Sequence, residues 1–167
     1  ATSPAADAMV ISLPYTLFNE VGIGGLELKI NSIGCKTCRA EYRRALIEYF
    51  EDKKDSLCVT CNDRLYKNPM RILDCKSEIC REISADAPKI LDYLCDDCRN
   101  HFDIVKSLLD GMGIGYTVDP SIVRGLDYYN RTVFEFVSSN IGAQGTVCGG
   151  GRYDGMTEQL GGASYPG

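Results

Sequence analysis

Eight of the nine cysteines fall in pairs. Cys35/Cys38, Cys58/Cys61 and Cys95/Cys98 are each C-x2-C, and Cys75 and Cys80 are separated by four residues. Thiolates bind Zn²⁺ tetrahedrally, and a tight turn carrying C-x2-C presents two sulfurs to one ion, so four pairs suffice for two four-thiolate sites. Such closed sites exclude water, which makes the metal structural and not catalytic. Reduced core cysteines or a disulfide are the alternative. Two connectivities fit the spacing. A nested one places Cys35, Cys38, Cys95 and Cys98 on one ion and Cys58, Cys61, Cys75 and Cys80 on another; a sequential ribbon joins Cys35, Cys38, Cys58 and Cys61 across 19 residues. Repeated C-x2-C reads as metal binding before a secreted disulfide framework and so implies a reducing compartment. Cys148 stands alone and is expected as filler in a strand.

The second chemically pointed stretch is Arg124-Gly125-Leu126-Asp127-Tyr128-Tyr129-Asn130-Arg131-Thr132, followed by Gly149-Gly150-Gly151-Arg152-Tyr153-Asp154-Gly155. Adjacent glycines let a ligand or another strand approach the backbone, and tyrosine hydroxyls offer directional hydrogen bonds. A tight turn beside an aromatic core is the plainer reading. Three consecutive glycines do not match the G-x-G-x-x-G dinucleotide template. His101 is the only histidine, so acyl-transfer triads within this chain are excluded; on a helix three residues after Cys98, it is expected to be a satisfied or solvated side chain.

The elements that must carry these groups are legible in the pattern. Ser3-Pro4 starts a helix whose Val10, Leu13, Leu17 and Val21 share one face, with a kink expected at Pro14 and an end at Gly22. Leu26, Leu28 and Ile30 alternate with polar residues as in a half-buried strand. Tyr42, Leu46, Tyr49 and Phe50, and later Phe102, Val105, Leu109 and Met112, recur at helical spacing, with shorter elements around Ile72, Leu73, Ile90 and Leu91. Arg131 to Val137 reads as a covered strand, Ser138 to Gly142 as a turn, and Gly145 to Cys148 as a return strand. Asp154 is placed to cap a short helix holding Met156 and Leu160.

Composition divides the chain. Residues 35 to 110 carry 29 of the 41 formal charges and eight cysteines, whereas residues 111 to 167 carry 13 of the 17 glycines and eight charges. We expect an α+β fold in which pieces 1–34 and 111–167 enclose a mainly helical, Cys-rich insertion module at 35–110. A net charge of −5 advertises no general affinity for nucleic acid or anionic membrane, and the near-apolar stretch Ala8 to Phe18 is too short and interrupted to span a bilayer. The sequence starts at Ala1 with no visible targeting signal.

Val123-Arg124-Gly125-Leu126-Asp127-Tyr128-Tyr129 and Gly149 to Gly155 resemble the two histidine-specific motifs of the histidyl-tRNA synthetases, class II aminoacyl-tRNA synthetases of bacterial type. The similarity continues through Leu28 to Gly34, Asn68 to Asp74 and Gln159 to Gly162, and so covers essentially the whole chain. It implies part of the class II antiparallel catalytic sheet, lying after motif 2 and before motif 3, without motif 1 or an anticodon-binding domain. Activation of histidine with ATP and Mg²⁺ to the adenylate, transfer to tRNA(His), a homodimeric parent enzyme and a cytoplasmic location follow from the resemblance, with the 167 residues alone inactive. Arg124 would contact the α-phosphate and substrate carboxylate, Tyr129 and Tyr153 would bond or wall in the imidazole, and Gly149, Gly150 and Gly151 would leave room for it. Tyr128, Asp127 and Arg152 would support. Met9 departs from the family, which usually has Glu after Asp7-Ala8, and the paired cysteines belong to only some members. A histidine-sensing regulatory paralogue would show an eroded Arg124 motif and no insertion; a zinc-dependent interaction module docking tRNA is the other competing reading.

Overall fold

The computed structural model describes residues 2–122, 128–138 and 145–167. Ser3 caps the first helix, its hydroxyl accepting from the Ala5 N–H at 3.2 Å, and Pro4 takes the first turn, where a missing N–H costs nothing. This helix, α1 (Pro4–Glu20), runs on through Pro14. The carbonyl that Pro14 leaves without a helical partner belongs to Val10, which is exposed and open to water.

The buried face of α1 is not the one expected from its larger residues. Ala8 and Ile11 are fully buried with Tyr15 and Phe18 beside them, while Val10, Leu13, Leu17 and Val21 are between 50% and 70% exposed. Both sets have helical spacing. Small Ala8 lets α1 approach the sheet, and Asp7 on the same side reaches buried partners there. Met9, where the resemblance leads one to expect Glu, is 65% exposed, so its apolar side chain displaces nothing in the core.

β1 (Leu26–Ser32) follows, burying Leu28 and Ile30 as its alternation requires. The module then folds as α2 (Lys36–Glu51), α3 (Val59–Lys67) and α4 (Glu78–Ala85), joined by short 3₁₀ turns at Lys54–Ser56, Pro69–Ile72 and Ile90–Tyr93. α5 (Asp96–Gly111) leads back to β2 (Thr117–Val118), β3 (Asn130–Ser138), β4 (Thr146–Arg152) and α6 (Met156–Gln159). The sheet order is β2-β1-β3-β4. β1, β3 and β4 are antiparallel, as expected; β2 joins β1 in parallel, which the long helical connection between them permits.

Two cores result. Tyr42, Leu46, Phe50, Leu65, Ile72 and Ile90 pack the inside of the module, while Leu28, Ile30, Phe134 and Phe136 pack against Ile11, Phe102, Val105 and Leu109 of the helices covering the sheet. α5 serves both, through Cys98 in the first and its later turns in the second. Met112 lies just past the helix end and is half-exposed. Gly149 to Gly151 continue β4 as strand and form no turn. α6 starts behind Gly155 at φ 85° with no side-chain cap, because Asp154 is engaged by Arg152 instead. Among the described residues no helix is long and apolar enough to cross a membrane.

Candidate functional site

β3 and β4 pair Phe134 with Gly150, Glu135 with Gly149 and Val133 with Gly151. Because paired residues share a face, Gly150 lies on the helix-covered side, and Gly149 and Gly151 on the other. A Cβ at Gly150 would come within 3.0 Å of the Phe134 ring. At Gly151 it would meet the Thr132 carbonyl and Val133 Cγ1 at 2.8 Å and Tyr129 Cδ1 at 2.9 Å. Glycine is thus what lets the Tyr129 ring lie against the strand. Tyr129 is buried with Ile33, Ile122 and Val133, its ring centroid 4.7 Å from Tyr128, which in turn meets Tyr153 edge-on at 6.3 Å. The structure therefore gathers Gly151, Tyr128, Tyr129 and Tyr153, and puts Gly150 behind them. Arg124 and Asp127 lie outside the described residues.

Behind this tyrosine cluster sits a buried polar network. Asp7 of α1 accepts from Arg152 Nη2 at 2.5 Å and from Thr132 Oγ1 at 2.6 Å, and its Oδ2 is 2.7 Å from His101 Nε2. Arg152 also donates to Asp154 at 3.0 Å and to the Ser3 carbonyl at 3.2 Å. Arg131 Nη1 lies 3.1 Å from His101 Nδ1. A guanidinium can only donate, so Nδ1 accepts and Nε2 carries the proton given to Asp7. Burial works to raise the Asp7 carboxyl, but bonds from His101, Arg152 and Thr132 outweigh it and hold the group below its ordinary value. The Arg152 guanidinium loses some preference for charge by burial and regains more from Asp7, so its pKa is raised. Arg152 is held within this network by Asp7, Asp154 and the Ser3 carbonyl, and His101 is a satisfied side chain, as expected. Asp7, Arg131 and Thr132 were missed as participants. A cleft of about 180 Å³ opens beside the network, lined by Asp7, Val10, Thr132, Arg152 and Tyr153 among others.

The thiols assemble into two groups, Cys35, Cys38, Cys95 and Cys98 in the outer and Cys58, Cys61, Cys75 and Cys80 in the inner. Within each, every sulfur lies within 4.8 Å of the others; this is the nested arrangement, and the sequential ribbon is not formed. Cys35, Cys58 and Cys95 are the caps of α2, α3 and α5, and Cys38, Cys61 and Cys98 sit three residues on, so each C-x2-C wraps one helix start. Backbone N–H groups point at sulfur, among them Cys95 to Cys38 at 3.2 Å and Cys58 to Cys80 at 3.3 Å. Burial opposes ionisation of Cys35, yet the N–H groups of Cys38 and Thr37 and nearby thiols bring it down to about 6. The Cys61 N–H does most of the same for Cys58, at about 7. Burial raises Cys61 and Cys98. Cys148 is half-buried against the sheet core, opposite Phe136.

A sequence profile of the family described as Histidyl-tRNA synthetase matches residues 39–167. The chain belongs to the histidyl-tRNA synthetase family. Among its relatives, the histidine–tRNA ligase of Caldanaerobacter subterraneus subsp. tengcongensis is 57% identical over 167 residues, all of this chain and 40% of the relative. That of Clostridioides difficile is 55% identical over 160 residues, 96% of this chain and 38% of the relative. The crystal structure of apo histidyl-tRNA synthetase from S. aureus superposes with a TM-score of 0.75 at 40% identity, covering 98% of this chain and 40% of that one. A Bacillus halodurans protein described as an ATP phosphoribosyltransferase regulatory subunit/histidyl-tRNA synthetase shares the fold at 20% identity, with a TM-score of 0.60. The chain thus spans about 40% of the length of the histidyl-tRNA synthetase relatives it matches.

Proposed function

We propose that these residues form the histidine-recognition part of a ligase that activates histidine with ATP and transfers it to tRNA(His) in the cytoplasm. The observation that carries this reading is the tyrosine cluster packed on Gly151, with Arg152 and Asp7 locking the strand behind it. In this reading Tyr129 and Tyr153 bond or enclose the imidazole, and Gly149, Gly150 and Gly151 leave room for it. Hydrogen-bonded readout of this kind rejects other amino acids strongly, because a wrong side chain leaves buried groups unpaired. Arg124 takes the α-phosphate and the carboxylate: a guanidinium forks onto two oxygens and stabilises charge developing at phosphorus. ATP comes with Mg²⁺, the working unit is a homodimer, and the eight paired thiolates hold structural Zn²⁺.

The test is single-turnover adenylate formation by the complete ligase that contains this span. Arg124→Ala should slow the step by on the order of 10² to 10³ at saturating histidine and ATP, with Arg124→Lys recovering only part of the loss. Tyr129→Phe should raise the KM for histidine and leave that for ATP unchanged. A wild-type rate in Arg124→Ala together with a wild-type KM in Tyr129→Phe would overturn the assignment.

A further inference from the structure

We infer that the outer thiolate cluster is a zinc site that positions the histidine-recognition segment, beyond holding the module together. The inference rests on the zinc and histidine readings above.

The geometry first meets what the metal requires. Tetrahedral zinc with Zn–S distances of about 2.3 Å separates its sulfurs by about 3.8 Å. Cys35 Sγ lies 3.5 Å from Cys38 Sγ and 4.0 Å from Cys95 Sγ, and in the inner cluster Cys58 and Cys75 are 3.8 Å apart. These separations are far too long for a disulfide and right for a shared cation. All four outer sulfurs sit at the starts of α2 and α5, which bring them together in the cluster.

From this cluster three paths lead directly to the segment carrying Tyr129. Along the first, Gly34 precedes Cys35 and passes so close that a Cβ there would lie 2.5 Å from Cys38 Cβ. Its carbonyl accepts from the Arg131 N–H at 2.9 Å, and the adjacent Ile33 N–H donates to the Arg131 carbonyl at 2.8 Å. Along the second, Arg39, next to Cys38, donates from Nη1 to the Tyr129 carbonyl at 3.2 Å. The third runs along α5, where His101, one turn after Cys98, meets both Asp7 and Arg131. Arg131 itself has left-handed backbone at φ 50°, a conformation that a non-glycine residue keeps only when its surroundings hold it. The outer metal would fix the origin of all three ties, so that its loss frees the tyrosine segment to shift.

The experiment uses the complete ligase. Metal analysis of the wild type, purified reduced and zinc-replete, should find two zinc ions per chain; none would sink the zinc reading itself. Histidine binding by the wild type, measured calorimetrically, checks the histidine reading separately. Cys95→Ser should lose one zinc and weaken histidine binding on the order of 10- to 100-fold, the usual effect of displacing supporting groups around a site, with the KM for ATP unchanged. Cys95→His, which restores a zinc-ligating side chain, should recover both the metal and most of the histidine affinity. If Cys95→Ser does not fold, Arg39→Met decides: it should keep both zinc ions and still weaken histidine binding. Wild-type histidine affinity in a zinc-depleted Cys95→Ser, or in Arg39→Met, overturns the inference.

Discussion

At Asp7 one carboxylate answers an imidazole, a hydroxyl and a guanidinium, so its removal strands several buried groups at once. Asp7→Asn should therefore destabilise the fold by about 3 kcal/mol, the lower end for breaking a buried pair, because Asp154 and the Ser3 carbonyl still hold Arg152. Urea denaturation measures it. The folded carboxyl lies below its ordinary 3.8, so its contribution is fully present above that pH and is lost as pH falls further through the folded value. The stability of Asp7→Asn should accordingly fall less steeply on acidification than that of the wild type. Gly151→Ala pushes a methyl into the Thr132 carbonyl and the Tyr129 ring and should cost about 1 to 3 kcal/mol while raising the KM for histidine. A variant as stable as the wild type would show that Tyr129 can give way. Arg152 and Tyr129 announced themselves through the motifs they sit in. Asp7 and His101 did not: they are far apart in sequence, and only folding makes them a pair.

The elements show where period alone is enough and where it is not. The buried Leu28 and Ile30 of β1 could be read from their alternation, the buried Val133, Phe134 and Phe136 of β3 from a run apolar on both sides, and the inner faces of α2 and α5 from their helical spacing. In α1, two sets of residues share the same helical spacing, and bulk pointed to the wrong one: Ala8 and Ile11 go inside and Leu13 stays out. Ile11→Ala should then cost about 2 to 5 kcal/mol in thermal unfolding of this chain, while Leu13→Lys changes little. Equal effects would mean that α1 is turned otherwise. The grouping of the C-x2-C pairs was legible because their spacing is also that of a helix start. β4 was harder, since three glycines lower strand propensity, and the neighbours that require Gly150 and Gly151, the Phe134 ring and the Tyr129 ring, come from other segments.

Over the whole molecule, the module and the sheet have separate cores that share α5. Chelation should accordingly speed amide exchange in α2, α3 and α4 before it reaches β1 and β3, because ligand binding and local folding are coupled. Uniform loss of protection would mean one cooperative unit. The closeness of the module's two ends also bears on the order of folding events. β1 has to find β3 across the entire module, since Leu28 pairs with Phe136. A module that closes first, bringing Cys35 to within 4.0 Å of Cys95, turns that search into one across a much shorter free chain. Each halving of the loop is worth about 0.6 kcal/mol, or roughly threefold in the odds of closure. With the proposed zinc holding that closure, a scarcity of metal during synthesis would show itself early, as slow maturation of a sheet that contains none of the paired cysteines.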